Sequence, residues 1–154
     1  MSGSFCLVLH GHLPWVLHHG HWPHGEVWLF EAVSETWLPL LDVVEGCVAE
    51  GTRVPLTLGM MPVLLEQLRN EGFRGRFERW LETQAARGAS DAKEFAGRGE
   101  LHLAWLAERW QRHYAAQLER FRGIDRDVAG AFARLAQAGH IELLTSNEIG
   151  RAHV

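Results

Sequence analysis

Near its N-terminus the chain reads Leu7-Val8-Leu9-His10-Gly11-His12-Leu13-Pro14-Trp15, an apolar run that ends in two histidines one residue apart. The run predicts a β-strand over residues 5–10, buried in a parallel sheet that is covered on both faces. Side chains alternate between the two faces of a strand, so we expect His10 and His12 to point the same way. Pro14 has no amide hydrogen and ends the pairing. We therefore expect a polar site at the carboxyl end of this strand, where α/β sheets and barrels place their chemistry.

The remainder of the chain alternates helical and strand patterns. Residues 11–25 lack aliphatic periodicity and predict a loop long enough to have a function of its own. Further strands are predicted over residues 54–58 and 141–145. Helices are predicted over residues 26–50 with a break or a restart at Pro39, from Pro62 to about Asn70, over residues 72–99 on the surface, from Leu103 to Phe121, and from an N-cap at Asp125 to Gly139. This order indicates βα units and a parallel sheet, but three strands are too few to close a barrel.

Composition and charge narrow the classes of function. The 154 residues match one domain of ordinary size. The net charge of −4 has no long block of either sign, which argues against nucleic acid and an anionic membrane as partners. Cys6 and Cys47 do not form a disulfide framework, and there is no signal peptide or transmembrane run. We expect a soluble, cytoplasmic protein without a cofactor, and the sequence leaves its oligomeric state open.

Histidine and tryptophan are concentrated in the predicted loop region. Six of the ten histidines lie between His10 and His24, together with Trp15 and Trp22. The tryptophans that follow helical patterns are expected in the core or in a groove; they are Trp37, Trp80, Trp105 and Trp110. His18, His19, His21 and His24 are expected to be mostly solvated loop residues.

The histidine motif is one of five blocks that occur in a fixed order. They are His10-Gly11-His12-Leu13-Pro14 with the apolar residues 5–9 before it, His21-Trp22-Pro23-His24-Gly25-Glu26, Glu31-Ala32 with residues 35–41, residues 57–64 with 66–68, and Ile141-Glu142-Leu143-Leu144-Thr145-Ser146-Asn147. The first block matches the H-x-H-x-P signature of glycoside hydrolase family 57. Over residues 5–147 the chain resembles the branching enzymes of that family.

This resemblance implies both a fold and an activity. The fold would be α/β, the first three βα units of an incomplete (β/α)7 barrel, with a parallel sheet and flanking helices. The activity would be cleavage of α-1,4-glucan with retention and transfer to a 6-hydroxyl, as in glycogen biosynthesis. Retention requires two carboxyl groups about 5 to 5.5 Å apart. In the family these are a glutamate and an aspartate on later strands, so no catalytic residue is expected in this chain, and the chain alone is expected to be inactive.

The resemblance also suggests which residues contact an α-glucan. His10 and His12 would form hydrogen bonds with the hydroxyls of the reacting glucose. Trp15 and Trp22 would stack on pyranose rings. The alternative is that the two histidines close hydrogen bonds at a strand end and that the tryptophans fill the rim of the barrel. For Glu26 we expect a charge effect at a helix N-terminus.

Other functions remain open at the level of sequence. An α-amylase or a 4-α-glucanotransferase of the same family would share these blocks. A metal-dependent, amidohydrolase-like enzyme would use His10 and His12 as metal ligands. That alternative requires further ligands, which the next strand end at Gly59 does not offer. A non-catalytic carbohydrate-binding protein is the third possibility.

The end of the sequence departs from the family pattern. After Thr145-Ser146-Asn147 the family continues with a small residue, threonine and histidine, whereas this chain continues Glu148-Ile149-Gly150-Arg151-Ala152-His153-Val154. These seven residues are what GAG ATC GGA AGA GCA CAC GTC encodes, which resembles a sequencing-adapter read. We expect residues 1–147 to be the N-terminal part of a family 57 catalytic domain and residues 148–154 to be a non-native read-through tail, in which His153 has no function.

Overall fold

The computed structural model describes residues 3, 5–21 and 23–145. In chain order the elements are β1 (Leu7–Gly11), α1 (Glu26–Ala32), a π-helical segment (Val33–Trp37), α2 (Leu38–Ala49), β2 (Leu56–Met60), α3 (Pro62–Arg69), α4 (Glu71–Gly97), α5 (Leu101–Gly123), α6 (Val128–Gln137) and β3 (Glu142–Leu144). Trp22, residues 146 and 147 and the predicted tail, 148–154, lie outside the described residues. None of the helices in the described ranges is long and apolar enough to cross a membrane.

The three strands form a parallel sheet in the order β1-β2-β3. The register pairs His10 with Gly59 and Gly59 with Leu144. Paired residues of neighbouring strands share a face of the sheet, and the carboxyl ends of parallel strands lie at the same edge. The predicted parallel sheet with flanking helices is confirmed.

The two faces of the sheet have different surroundings. Leu58 belongs to the hydrophobic core formed with the helices, and Leu9 and Leu143, its neighbours in register, pack against that core. On the opposite face Val8 is 58% exposed and Leu144 is 48% exposed. The prediction that the first strand is covered on both faces is therefore wrong for the described chain, because the helices cover one face of the sheet.

Several boundaries differ from the predicted ones, among them the end of β2 and the N-cap of α6. β2 continues to Met60 instead of ending at Leu58, because Gly59 remains paired with both neighbouring strands. Pro39 lies in the first turn of α2, as predicted for the start of a second helix, and the π-helical segment joins α1 to it. Asp125 is not the N-cap of α6; it has a left-handed backbone with a φ of 57°. The N-cap is Asp127, whose carboxylate accepts a hydrogen bond from the Gly130 amide at 2.9 Å.

Helices α4 and α5 form a long helical hairpin, which the sequence predicted as two separate helical stretches. Its base joins the core through phenylalanine rings: Phe77 stacks on Phe73 at 5.5 Å and meets Phe121 edge-on at 4.9 Å. Farther along, a Cβ atom at Gly88 would lie 2.9 Å from the backbone nitrogen of Gln111. The helices therefore approach each other closely at Gly88, where only a glycine fits without displacement.

Candidate functional site

The two histidines lie at the carboxyl edge of the sheet. His10 lies in β1, His12 is the first residue after this strand, and both residues are exposed. Their ring centroids are 6.4 Å apart, and the ring planes differ by 13°. The prediction that both imidazoles point the same way is confirmed. Nearly parallel rings at this spacing place two sets of hydrogen-bonding nitrogens over one small area.

Gly11, between the histidines, faces the helices. A Cβ atom there would overlap the indole ring of Trp37 and would lie 2.9 Å from the carbonyl oxygen of Gly59. Trp37 is itself buried and contacts Phe132 edge-on at 5.8 Å, so it has little room to move. The close packing of Gly11 on this ring fixes the distance between the end of β1 and the core, and therefore the positions of His10 and His12.

The residue of β2 opposite His10 is a glycine, which has no side chain to place over the imidazole. Gly59 is the register partner of His10, and a Cβ atom built there would lie 3.5 Å from the His10 Nδ1 atom. One methyl group would fit at that distance, but a larger side chain would cover the imidazole. On the same face Thr57 donates a hydrogen bond of 2.7 Å to the Glu142 carboxylate. This polar pair lies beside Val8, two residues before the register row of His10 and Gly59, so the imidazoles are the polar groups at the carboxyl end of β1.

The loop after β1 is held by a single buried glutamine. Gln67 of α3 is completely buried; its Oε1 atom accepts from the Val16 amide at 2.7 Å, and its Nε2 atom donates to the Pro14 carbonyl at 3.0 Å. These two hydrogen bonds flank Trp15, which is 44% exposed. Val16 and Leu17 are buried in the core. The backbone on both sides of Trp15 is therefore fixed while its indole ring faces solvent.

A buried ion pair ties the second half of the loop to the helical hairpin. The Glu26 carboxylate accepts a hydrogen bond from Arg76 Nε at 2.7 Å and from the His18 amide at 3.2 Å. Glu26 is the first residue of α1 and the acidic residue of its first turn, which is the predicted position for a favourable charge at the helix N-terminus. The sequence did not predict its second role, which is to hold His18 and Arg76 together.

One curated relative matches almost the whole chain, and another matches about half of it. The 1,4-alpha-glucan branching enzyme of Thermococcus kodakarensis is 33% identical over 147 residues, which are 95% of this chain and 21% of that protein. A probable 1,4-alpha-glucan branching enzyme of Mycobacterium tuberculosis is 43% identical over 81 residues, which are 53% of this chain and 15% of that protein. No family model matches. The chain thus spans about a fifth or less of the length of these relatives.

Solved structures agree with the sequence relatives. The branching enzyme of family 57 type from Pyrococcus horikoshii superposes with a TM-score of 0.86 at 32% identity, over 94% of this chain and 27% of that one. The chain is homologous to the family 57 branching enzymes. The Thermococcus kodakaraensis enzyme of family 57, solved with glucose, gives a TM-score of 0.83 at 32% identity over 94% of this chain and 26% of that one. An α-amylase of Thermotoga maritima gives 0.80 at 29% identity, over 94% of this chain and 27% of that one.

Within this family 57 homologue, the structure describes three of the four predicted substrate-binding residues. His10 and His12 adjoin each other, and Trp15 follows in the same clamped loop. Trp22 lies outside the described residues. Among residues 3, 5–21 and 23–145, no three histidine, cysteine, aspartate or glutamate side chains group closely enough to hold a metal ion.

Sequence reasoning missed Gln67 and Arg76 as partners of the loop. Gln67 had a detectable signal: it lies on the buried face of α3 with Leu64 and Leu68, and a polar residue on an apolar stripe requires buried hydrogen-bond partners. Arg76 had none, since arginines are common along α4 and nothing in the sequence distinguishes the one that reaches Glu26.

Proposed function

We propose that the chain is part of a 1,4-α-glucan branching enzyme, which cleaves α-1,4 linkages with retention and transfers the released glucan to a 6-hydroxyl. The observation that carries this proposal is the match of nearly the whole chain, in sequence and in fold, to branching enzymes of family 57. The paired imidazoles at the strand ends supply a polar surface of the kind that sugar hydroxyls require.

In this proposal, the three strands belong to the first three βα units of a (β/α)7 barrel. The exposed Val8 and Leu144 on one face of the sheet support this, since strands on the far side of a barrel would cover them. The glutamate nucleophile and the aspartate acid/base would be contributed by later strands. Residues 1–147 would then belong to the catalytic domain, and residues 148–154 remain a predicted non-native tail.

The chain's own residues would bind the substrate. His10 and His12 would form hydrogen bonds with the hydroxyls of the glucose unit that reacts. Trp15 would stack on a neighbouring pyranose ring, because an exposed indole on a fixed backbone offers a flat apolar surface at low entropic cost. The role of Trp22 and a cytoplasmic location stay predictions.

The test uses the longest reading frame that contains this chain, assayed for new α-1,6 linkages in amylose by proton NMR. We expect His10→Ala to lower kcat by about 100-fold or more, as loss of a group that binds the transition state does. His19→Ala is the matched control, since His19 is also an exposed loop histidine and its backbone amide, which the substitution keeps, donates to the Val16 carbonyl. Equal activity of the two variants would overturn the role of His10.

The 154-residue chain alone is expected to form no α-1,6 linkages. It contains residues that bind the glucan in this proposal but not the carboxyl pair that cleaves it. Incubation of the purified chain with amylose, followed by debranching and chain-length analysis, checks this expectation. Branching by the chain itself would contradict the assignment of the catalytic carboxylates to later strands.

A second candidate is an α-glucan hydrolase, which the similarity to the Thermotoga maritima α-amylase favours. The same amylose assay separates the two activities. A branching enzyme conserves the number of glycosidic bonds, so reducing ends stay nearly constant while α-1,6 linkages appear. A hydrolase releases reducing ends without α-1,6 linkages. Activity that chelators abolish would instead support the metal-dependent alternative.

A further inference from the structure

A cleft on the helical hairpin lies outside the strand-end site, which is the name used here for His10, His12 and Trp15. Glu35 of the π-helical segment and Arg109, Trp110 and His113 of α5 line a volume of about 350 Å³, which we call the hairpin cleft. Its size is within the range of small-molecule sites. A neighbouring cleft of about 460 Å³ between α4 and α5 is also lined by Trp110. The two clefts therefore share Trp110 as a lining residue.

The orientation of this indole is fixed although the ring is accessible. Trp110 is 47% exposed. Its ring stacks on Tyr114 at 5.6 Å with planes 26° apart, and the His113 ring meets it edge-on at 5.5 Å. Tyr114 is in turn held edge-on by Trp80 at 5.4 Å. An aromatic surface that is held in place before a ligand arrives loses little entropy on binding.

The polar groups of the hairpin cleft favour a neutral ligand rich in hydroxyls. A carboxylate, Glu35, and a guanidinium, Arg109, line the same cleft, so their opposite charges offset each other and favour neither a net anion nor a net cation. The Nε2 atom of His113 is buried and has no hydrogen-bond partner among the described residues. Glu35 likewise has no ion-pair partner in the described part of the chain. Hydroxyl groups, which both donate and accept, match this set.

Resting on the proposed function, we propose that the hairpin cleft is an accessory binding site for α-1,4-glucan, separate from the strand ends. A pyranose ring would stack on Trp110, and its hydroxyls would bond to Glu35, Arg109 and His113. The polymer would extend from there into the neighbouring cleft past the same indole. Such a site would retain a long glucan on the protein without contacting the reacting bond.

The chain offers a matched pair of tryptophans for the test. Trp105 is on the same helix and is 48% exposed, but its ring stacks on His102 and lies under the Arg109 guanidinium instead of lining the hairpin cleft. Trp105→Ala therefore removes an equally exposed indole from the same helix. Trp110→Phe keeps an aromatic ring and controls for packing on Tyr114.

The experiment is affinity electrophoresis of the longest reading frame that contains this chain, in gels that contain soluble amylose, with dextran as the polymer control. Far-UV circular dichroism checks that each variant retains its helices. We expect Trp110→Ala to weaken amylose binding by about tenfold or more, Trp110→Phe to retain part of it, and Trp105→Ala to leave it within about twofold. Equal retardation of the two alanine variants would overturn the proposal, as would a folded chain that amylose does not retard.

A parallel His10→Ala variant distinguishes this inference from the proposed function. Loss of retardation in His10→Ala but not in Trp110→Ala would refute the accessory site and leave the strand-end site intact. Loss in Trp110→Ala alone supports the accessory site. Whether the enzyme branches glucan is decided separately, by the amylose product assay on the longer reading frame.

Discussion

The strand-end site and the helical hairpin hold their exposed aromatic residues in different ways. At the strand ends, the backbone is fixed: Gly11 is pressed against Trp37, and Gln67 bonds on both sides of Trp15. On the hairpin, side chains hold one another, as Trp110 does on Tyr114. A backbone constraint allows one geometry, whereas side-chain packing tolerates changes of shape. We therefore expect substitutions near the strand ends to have larger effects.

The largest effect is expected for Gly11→Ala. The added Cβ atom would overlap the Trp37 ring, and overpacking of a core contact costs roughly 3 kcal/mol at the upper end of its usual range. Gly46→Ala is the control, since Gly46 lies in α2 with open space around it, and alanine favours a helix by up to about 1 kcal/mol. Urea unfolding followed by circular dichroism gives both values. Equal stability of the two variants would show that Trp37 does not limit the strand end.

A smaller effect is expected for Gln67→Leu. The substitution leaves the Val16 amide and the Pro14 carbonyl without their side-chain partner, at a cost of about 1 to 3 kcal/mol. We also expect faster hydrogen exchange at the Val16 amide, because this amide donates directly to the Gln67 side chain. The neighbouring exposed residue provides the control, as Glu66→Ala should change neither quantity. Unchanged exchange at Val16 in the leucine variant would contradict the role of Gln67 in holding the loop.

The smallest effect is expected in the helical hairpin and is measured as the pKa of Tyr114. Burial raises the pKa of Tyr114, and the nearby carboxylates of Glu35 and Glu31 raise it further. Because the pKa is higher in the folded chain, the neutral phenol stabilises the fold below the unfolded pKa of about 10, and this contribution is lost as pH rises through the folded value. Tyr114 is the single tyrosine, so absorbance at 295 nm follows it alone.

The matched comparison for this titration is the Glu35→Gln variant. Removing one negative charge should move the pKa of Tyr114 partly back toward its ordinary value, while the part due to burial remains. The urea-unfolded chain gives the reference. Coincident titrations of the folded and unfolded chain would mean that Tyr114 is not packed beneath Trp110, and the hairpin would then lack the fixed aromatic surface described above.

Local patterns predicted the elements and their order. Alternation along residues 7–12 placed both imidazoles on one face, and the helical stripe after Pro62 predicted α3. The errors occurred where two elements meet. Gly59 remains in β2 because both neighbouring strands pair with it, and Asp127 replaces Asp125 as the N-cap because the chain leaves α5 through two left-handed residues. Periodicity within one segment contains no information about such partners.

The sequence alone determined that two histidines share a face at the end of a strand in a parallel α/β sheet, and its ordered blocks indicated family 57. The tertiary structure decided which side chains fix that strand end and its loop, namely Trp37, Gln67 and the Glu26 to Arg76 ion pair. It also placed Glu35 beside Trp110. The reason is physical: alternation and helical periodicity are properties of neighbouring residues, whereas these contacts join residues far apart in the chain and depend on how the helices pack.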